Sequence, residues 1–443
     1  MRRGTWQEGV AGAGKTEFRA KDTVNSCSGV WACNGLPRTR ANTMAQSIPA
    51  LVNAKVLRWA RETAGLDTAT AARKIGRPEE DLRQWESGRK LPSVAQMRNA
   101  ARVYRRPLAA FYLPEPPPDL TRLTDLRRLP SEVPADFSHE LRLLIRSARR
   151  RQRWIRDLLR EVGESPLSCV GCARLDTDVE ELSRTVRGLL GVTDEVQASW
   201  GTRAEALRDW LDAIEGTGVF VFQSGNAGVK VEEMRGFALP DTVAPVIVVN
   251  SKDARSARIF TALHEFVHVL VDEEGISNLV LPSSSTGSAA RIEVFCNSVA
   301  AETLVPASRL RADWKRGLSD RALDSCIKGL AESYKVSREV IARRLLFLRF
   351  ITREVYEEKR EEYQRDFAEY EETARRKGGE VRIRWERRVV AANGRAFTRA
   401  VLAALGRGLV SARDVSALLN TKLRFLPRIE AEAFAREIAT GRL

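Results

Sequence analysis

Two histidines four residues apart, with a glutamate directly after the first, are the residues of this 443-residue chain best suited to chemistry. They lie in the segment TALHEFVHVL, residues 261–270. Helix positions four apart share one face, so the imidazoles of His264 and His268 can bind one zinc ion. Glu265 points about 100° away, where its carboxylate can reach water held by the metal. An ordinary amphipathic helix is the alternative, but charge on so apolar a helix is costly without a cation.

A catalytic zinc takes three protein ligands and leaves its fourth position to water. The third histidine of the chain, His139, lies over a hundred residues away, where a surface or capping role is expected. The third ligand should therefore be a carboxylate, and the candidates are Asp272, Glu273, Glu274, Glu293 and Glu302. The first three lie too close to the end of the same helix. Glu293, in the apolar segment RIEVFCNSVAAETLVP, is the predicted ligand, because Glu302 lies about 180° around that helix.

The bulk composition is that of a globular protein with excess positive charge. No apolar run approaches the roughly 20 residues that span a bilayer, so no membrane partner is expected. The net charge of +15 and the pI near 9.9 favour binding to polyanions, above all nucleic acid, although an arginine-rich proteome would give the same excess. Six scattered cysteines and the lack of a secretory signal predict a cytoplasmic protein without a disulfide framework.

Composition and periodicity divide the chain into six segments. The predicted segments are a disordered or mis-annotated extension (1–43), an all-helical domain (53–113), a linker (114–135), a helical connecting region (136–216), an α+β core (217–310) and a helical C-terminal region (311–443). The predicted fold class is mainly α with a small antiparallel sheet. In that sheet RGFAL would form a meander with GVFVFQSG and APVIVVN, and could offer an edge to an extended substrate.

One basic helix is predicted at 138–162, within the connecting region. Its segment RSARRRQR is interpreted as a solvated face, with a phosphate-binding face as the alternative. The extension contains GVAGAGKT, which fits a phosphate-binding loop, but the strand and helix that such a loop needs are not indicated around it.

Longer segments resemble known families. The run RGFALPDTVAPVIVVNSKDARSARIFTALHEFVHVL, followed by IEVFCNSVAAETLVP, is similar to the ImmA/IrrE metallopeptidases. The preceding WESGRKLPSVAQMRNAARVYRRPLAAFYLPEPP resembles the XRE-type helix-turn-helix domain often fused to them, and the similarity covers roughly residues 53–443. It implies an all-α helix-turn-helix domain followed by an α+β gluzincin-like metallopeptidase domain. It also implies zinc binding by His264, His268 and Glu293, with Glu265 as the general base.

The function implied by the resemblance is that of a zinc-dependent endopeptidase. Such an enzyme would regulate transcription by cleaving a partner repressor, so the expected partners are a protein substrate and DNA. The alternative is a transcriptional regulator of the XRE family whose peptidase-like domain senses a ligand or partner without proteolysis. A homodimer is left open.

The recognition helix of the helix-turn-helix domain departs from the family pattern. Its sequence, RPEEDLRQWESG, carries three carboxylates where the family usually has Ser, Thr, Gln or Arg, namely Glu79, Glu80 and Asp81. The predicted DNA contacts are the neighbouring cations Arg77, Arg83, Arg89 and Lys90. Segment 53–113 contains 13 Lys and Arg against 6 Asp and Glu, a balance of +7. Operator binding and a protein-docking or dimerisation role therefore both stay open.

Overall fold

A computed structural model describes residues 48–117, 137–225, 227–273, 275–277, 288–314, 320–377 and 384–440. The predicted extension 1–43, with its phosphate-loop pattern, and most of the predicted linker 114–135 lie outside these described residues. No helix among those described is both long enough and apolar enough to cross a membrane.

Short capped helices form the N-terminal domain. Its elements are α1 (Ala54–Thr63), α2 (Thr68–Ile75), α3 (Glu79–Glu86), α4 (Val94–Val103) and a 3-10 helix (Leu108–Tyr112). The side chains of Asn53, Asp67 and Ser93 accept hydrogen bonds from backbone N–H groups at the starts of α1, α2 and α4. Gly76, with φ of 77°, ends α2 in the left-handed conformation. The apolar side chains of the domain form a core of their own, which includes the buried Trp85.

Short strands and a larger set of helices make up the described chain after this domain. The first helices are α5 (His139–Glu161), α6 (Val179–Leu190), α7 (Asp194–Ser199), α8 (Arg203–Gly216) and α9 (Arg255–Leu270). The strands are β1 (Phe220–Gln223), β2 (Gly236–Leu239), β3 (Val246–Val249) and β4 (Gly275–Ser277). The later helices are α10 (Ser288–Leu304), α11 (Ala307–Asp313), α12 (Asp320–Tyr334), α13 (Arg338–Phe347), α14 (Arg353–Lys377), α15 (Trp385–Asn393), α16 (Arg395–Gly406), α17 (Ala412–Leu418) and α18 (Leu426–Thr440), with a 3-10 turn at Leu423–Phe425. The predicted mainly α fold class with one small sheet is confirmed.

The sheet is mixed, which corrects the predicted antiparallel meander. Its strand order is β1-β3-β2-β4, in which β1 runs parallel to β3 while β2 runs antiparallel to both β3 and β4. Strand β3, with the sequence VIVV, is buried at every position and therefore takes an interior place. Strands β1 and β2 follow each other along the chain but are not neighbours in the sheet, because β3 lies between them. Strand β2, which contains RGFAL residues, is consequently not the edge strand that the sequence suggested.

Helices cover both faces of the sheet. Ala238 and Ile247 face the core formed with α8 and α9. Phe222 and Phe237 face a second core, built with α5 and the C-terminal helices. Phe397 of α16 meets the ring of Phe222 edge to face, with centroids 5.3 Å apart. The helices α15 and α16 are therefore part of the body that carries the sheet.

Two arginines of RSARRRQR, Arg146 and Arg151, contact neighbouring elements, whereas Arg150 and Arg153 are exposed, as the predicted solvated face requires. Arg146 donates to the carbonyls of Tyr104 and Arg105 at the end of α4, over 2.8 and 2.9 Å. Arg151 donates to the carbonyl of Ala392 in α15, over 3.2 Å. Backbone carbonyls left over at helix ends need donors, and long guanidinium side chains supply them.

Candidate metal centre and helix-turn-helix surface

Three buried side chains from two helices converge on one point. In α9, the Nε2 atoms of His264 and His268 lie 3.1 Å apart. Glu293 of α10 approaches both, with Oε2 3.4 Å from His264 Nε2 and Oε1 3.4 Å from His268 Nε2. The histidines are 0 % exposed and the glutamate is 1 % exposed. Within the described ranges, this is the single cluster of three or more His, Cys, Asp or Glu residues with the geometry of a metal site.

This donor set fits zinc. Zinc binds imidazole nitrogen and carboxylate oxygen at roughly 2.0–2.2 Å, so neighbouring ligand atoms of a tetrahedral site lie about 3.3–3.6 Å apart. The observed separations of 3.1, 3.4 and 3.4 Å are close to that spacing. Apart from the two imidazoles, the carboxylate oxygens of Glu293 have no hydrogen-bond partner among the described residues, and a cation would compensate this buried charge. Two histidines and one carboxylate are a ligand set of catalytic zinc sites.

The packing of α9 and α10 places these ligands. Every residue of α9 from Ile259 to Leu270 is buried, because the helix lies against the sheet on one side and against α8 and α10 on the others. In α10 the buried neighbours of Glu293 are apolar and include Ile292 and Cys296. Asn297 follows Glu293 by one helical turn, lies beside His264 and contributes to raising the pKa of that histidine. The i, i+4 spacing from Glu293 is the sequence signal by which Asn297 could have been found.

The electrostatics favour an ionised carboxylate. Burial raises the pKa of Glu293, but the two imidazoles, His264 first, outweigh it and lower that pKa to about 2. Burial lowers the pKa of His268 and so favours its neutral form. Burial acts in the same direction on His264, but the carboxylates of Glu293 and then Glu265 reverse it and raise the pKa. A metal ion must displace any proton from these nitrogens, so binding would release protons.

Glu265 lies under β2, where a glycine leaves room for it. A β-carbon placed on Gly236 would lie 2.7 Å from Glu265 Oε1 and 2.5 Å from Thr261 Cγ2, which are distances that real side chains do not adopt. Thr261 precedes Glu265 by one helical turn and is 1 % exposed. Its hydroxyl has no hydrogen-bond partner within the part of the chain that the structure describes. Sequence reasoning missed both Gly236 and Thr261, since their importance depends on how β2 crosses α9.

The other candidate ligands lie elsewhere. Asp272 and Glu273 are exposed beyond the end of α9, and Glu274 lies outside the described residues. Glu302 is buried, but it forms an ion pair with Arg344 and accepts a hydrogen bond from the backbone N–H of Ala307. These contacts direct Glu302 away from the histidines.

The third histidine takes no part in the cluster. His139, at the start of α5, donates from Nδ1 to the carbonyl of Ala64 over 2.6 Å. Ala64 ends α1, so the contact caps that helix and ties the N-terminal domain to α5.

The helix-turn-helix surface is internally paired. Asp81 accepts hydrogen bonds from Arg77 and from Lys90, the latter over 2.8 Å. Arg83 donates to Glu79 over 2.7 Å. Three of the four cations predicted to contact DNA are therefore bound to acids of α3, while Arg89 has no ionic partner among the described side chains. The two i, i+4 spacings are the signal from which these pairs could have been anticipated.

Family comparisons agree with this architecture. Residues 217–346 match the family model of the IrrE N-terminal-like domain, a peptidase family, and residues 54–111 match a helix-turn-helix domain model. No curated protein matches the chain. The first range contains the three converging side chains and the second contains the acidic helix α3, and the two matches confirm the predicted fusion. The chain joins a helix-turn-helix domain to an IrrE-like peptidase-family domain.

Proposed function

We propose that this chain is a zinc-dependent endopeptidase that regulates transcription by cleaving a partner repressor. The observation that carries the proposal is the convergence of His264, His268 and Glu293, with Glu265 buried next to His264 on the same helix. A purely structural zinc site closes with four protein ligands, whereas three ligands leave a position for chemistry. The helix-turn-helix domain supports DNA binding, which would bring the peptidase close to proteins bound at an operator.

In the proposed mechanism, His264, His268 and Glu293 hold the metal. When bound, zinc supplies Lewis acidity, which acidifies water and polarises a peptide carbonyl. The carboxylate of Glu265 accepts a proton from the attacking water and delivers it to the leaving amide nitrogen. Gly236 limits the positions open to Glu265, because a β-carbon at Gly236 would lie 2.7 Å from Glu265 Oε1. A fixed carboxylate is a better proton carrier than a mobile one, since less reorganisation is needed.

One observation favours a second function. The three proposed ligands and Glu265 are all 0–1 % exposed in the described structure, so a substrate peptide would need the protein to open. A regulator that uses the metal site as a sensor would not need such opening. In that case the ligand or partner would change the protein without any peptide bond being cut.

A comparison of the wild-type chain with Glu265→Gln distinguishes the two functions. Each purified protein is loaded with zinc and incubated with a lysate of the source cells, and newly formed protein N-termini are identified by mass spectrometry. The proposal expects N-termini that appear with the wild type and are absent with Glu265→Gln, while zinc content stays at one per chain in both. Cleavage should be lost while zinc is kept, because Glu265→Gln removes only the carboxylate that accepts the proton.

One control variant and two contrary outcomes complete this test. Glu161→Gln makes the same chemical change at an exposed glutamate of α5, outside the cluster, and should leave the specific N-termini in place. Cleavage that is equal in wild type and Glu265→Gln would contradict the proposed catalytic role. A wild type that binds zinc, folds and generates no specific N-termini would favour the sensor.

A further inference from the structure

The C-terminal helices line a cavity that is open to solvent and lies outside both matched domains. The cavity has a volume of about 570 Å³ and is lined by Trp385, Glu386, Ser416, Asn420, Thr421, Lys422, Phe425 and Arg428. These residues belong to α15, α17, α18 and the turn between the last two, beyond residue 346, where the IrrE-like match ends. Small-molecule sites commonly have volumes of roughly 300–1,000 Å³. The cavity is thus of the right size for a small ligand.

Two aromatic rings form one wall of this cavity. The rings of Trp385 and Phe425 have centroids 4.6 Å apart and planes inclined by 49°. Both side chains are half-buried, so part of each ring is open to the cavity. The guanidinium of Arg424 lies over Phe425, with its carbon 4.7 Å from the ring centroid. Fixed aromatic faces of this kind stack with planar rings irrespective of their substituents.

The charged groups of the cavity favour an anion. Lys422 and Arg428 are exposed, and no described residue forms an ion pair with either. Glu386 is the one carboxylate among the lining residues, and Arg384 already neutralises it over 2.8 Å. The lining therefore has two cations and one carboxylate, Glu386, which pairs with Arg384 and interacts electrostatically with Arg428, so the lining residues keep a net positive charge. Such an arrangement attracts phosphate or carboxylate groups.

Polar groups complete the lining. Ser416 donates its hydroxyl hydrogen to the carbonyl of Thr421 over 2.6 Å, so its oxygen can still accept a hydrogen bond. The hydroxyl of Thr421 is buried without a hydrogen-bond partner in the described ranges. Asn420, with φ of 50°, exposes an amide that can both donate and accept. These groups suit a ring that carries donors and acceptors on its edge.

We propose that the cavity binds a mononucleotide, with the base against Trp385 and Phe425 and the phosphate at Lys422 and Arg428. A ligand that contacts the aromatic, cationic and polar lining groups at once needs an aromatic ring, an anionic group and hydrogen-bonding atoms on the edge of the ring. A mononucleotide is the common small molecule that combines them. The proposal does not depend on peptidase activity, because its residues lie outside the metal centre.

Isothermal titration calorimetry of the full chain with AMP, GMP, CMP and UMP tests this proposal. At least one of these nucleotides should bind with a Kd at least tenfold lower than both its nucleoside and ribose 5-phosphate. The nucleoside lacks the anionic group and ribose 5-phosphate lacks the ring, so each comparison removes one proposed contact. Inorganic phosphate should bind more weakly than any of the nucleotides.

Matched charge reversals locate the site. Lys422→Glu and Arg428→Glu should each weaken binding of the preferred nucleotide by at least tenfold. Arg407→Glu makes the same charge change at an exposed position outside the cavity and should change the Kd by less than twofold. Trp385→Leu should also weaken binding, and the two exposed charge variants keep the test valid if this packed residue proves necessary for folding.

Three results would overturn the proposal. One is a Kd above millimolar for all four nucleotides. Another is an effect of Arg407→Glu as large as those of the two cavity variants. The third is tighter binding of a single-stranded oligonucleotide than of any mononucleotide, because that would identify the surface as a nucleic-acid platform.

Discussion

Gly236 of β2 lies so close to Glu265 of α9 that a single added carbon would overlap the carboxylate. The β-carbon of an alanine at this position would lie 2.7 Å from Glu265 Oε1 and 3.0 Å from its Cγ. The strand cannot easily retreat, because Gly236 is registered with Val249 on one side and Ser277 on the other. The helix cannot retreat either, since its residues from Ile259 to Leu270 are all buried.

Gly236→Ala should therefore displace the carboxylate of Glu265 while leaving the three proposed zinc ligands in place. A misplacement on the order of 1 Å in a catalytic group can cost roughly 100-fold in rate. We expect a loss of cleavage rate of that order, with zinc content unchanged at one per chain. Rates are measured at the cleavage site identified by mass spectrometry, and zinc by elemental analysis.

The matched control for this change is Gly329→Ala in α12. A β-carbon at Gly329 meets nothing within 4 Å, so this substitution adds the same atom in open space. It should leave the cleavage rate unaltered and can only help the helix, where alanine is preferred to glycine. Full activity in Gly236→Ala would show that the glycine is not needed to position Glu265.

Glu293→Ala should release the metal. The substitution removes one of three converging ligands, and even outer groups that only support a ligand typically contribute about 10–100-fold to affinity. We expect zinc affinity to fall by more than this, as measured by competition with chelators of graded strength. Glu161→Ala is the contrasting variant, because it removes an exposed carboxylate of α5 that lies outside the cluster. Stoichiometric, tightly held zinc in Glu293→Ala would exclude Glu293 as a ligand.

Removal of acids from α3 should strengthen DNA binding. Glu79→Gln frees Arg83, and Asp81→Asn frees both Arg77 and Lys90. Each additional phosphate that a cation neutralises steepens the dependence of log affinity on log salt by about 0.9. We expect a steeper salt dependence by about 0.9 for Glu79→Gln and up to about 1.8 for Asp81→Asn, measured by fluorescence anisotropy on duplex DNA.

Glu62→Gln serves as the control for these two variants. Glu62 is an exposed acid of α1 that contacts Arg61 and lies outside α3. Its substitution changes the net charge of the domain by the same amount as Glu79→Gln. Equal salt dependence in all three variants would mean that α3 does not present its cations to DNA, and would favour the protein-docking interpretation of this domain.

Local periodicity explains which features were predictable. The shared face of His264 and His268 follows from helix geometry alone. An acidic residue within an apolar helical segment indicated Glu293. The strand order was not predictable in this way, since pairing between β1 and β3 depends on contacts far apart in sequence. The fit between Gly236 and Glu265 depends on the same tertiary packing. The contacts of Arg146 and Arg151 were not predictable either. The sequence shows that α5 is basic, but not which backbone carbonyl groups each guanidinium contacts.

Loss of Arg344 should destabilise the helix that carries Glu293. Arg344 of α13 is buried against Glu302 near the end of α10, with their side chains only 5 % and 6 % exposed, and it also donates to the carbonyl of Val305 over 3.1 Å. Arg344→Met leaves Glu302 charged and buried without its partner, and breaking such a pair typically costs about 3–5 kcal/mol. The free energy of unfolding, measured with urea on zinc-free protein, should fall by this amount. The double variant Arg344→Met with Glu302→Gln should recover part of the loss, because no buried charge is then uncompensated. A double variant as unstable as Arg344→Met alone would assign the effect to lost packing around the arginine, and not to the ion pair that anchors α10.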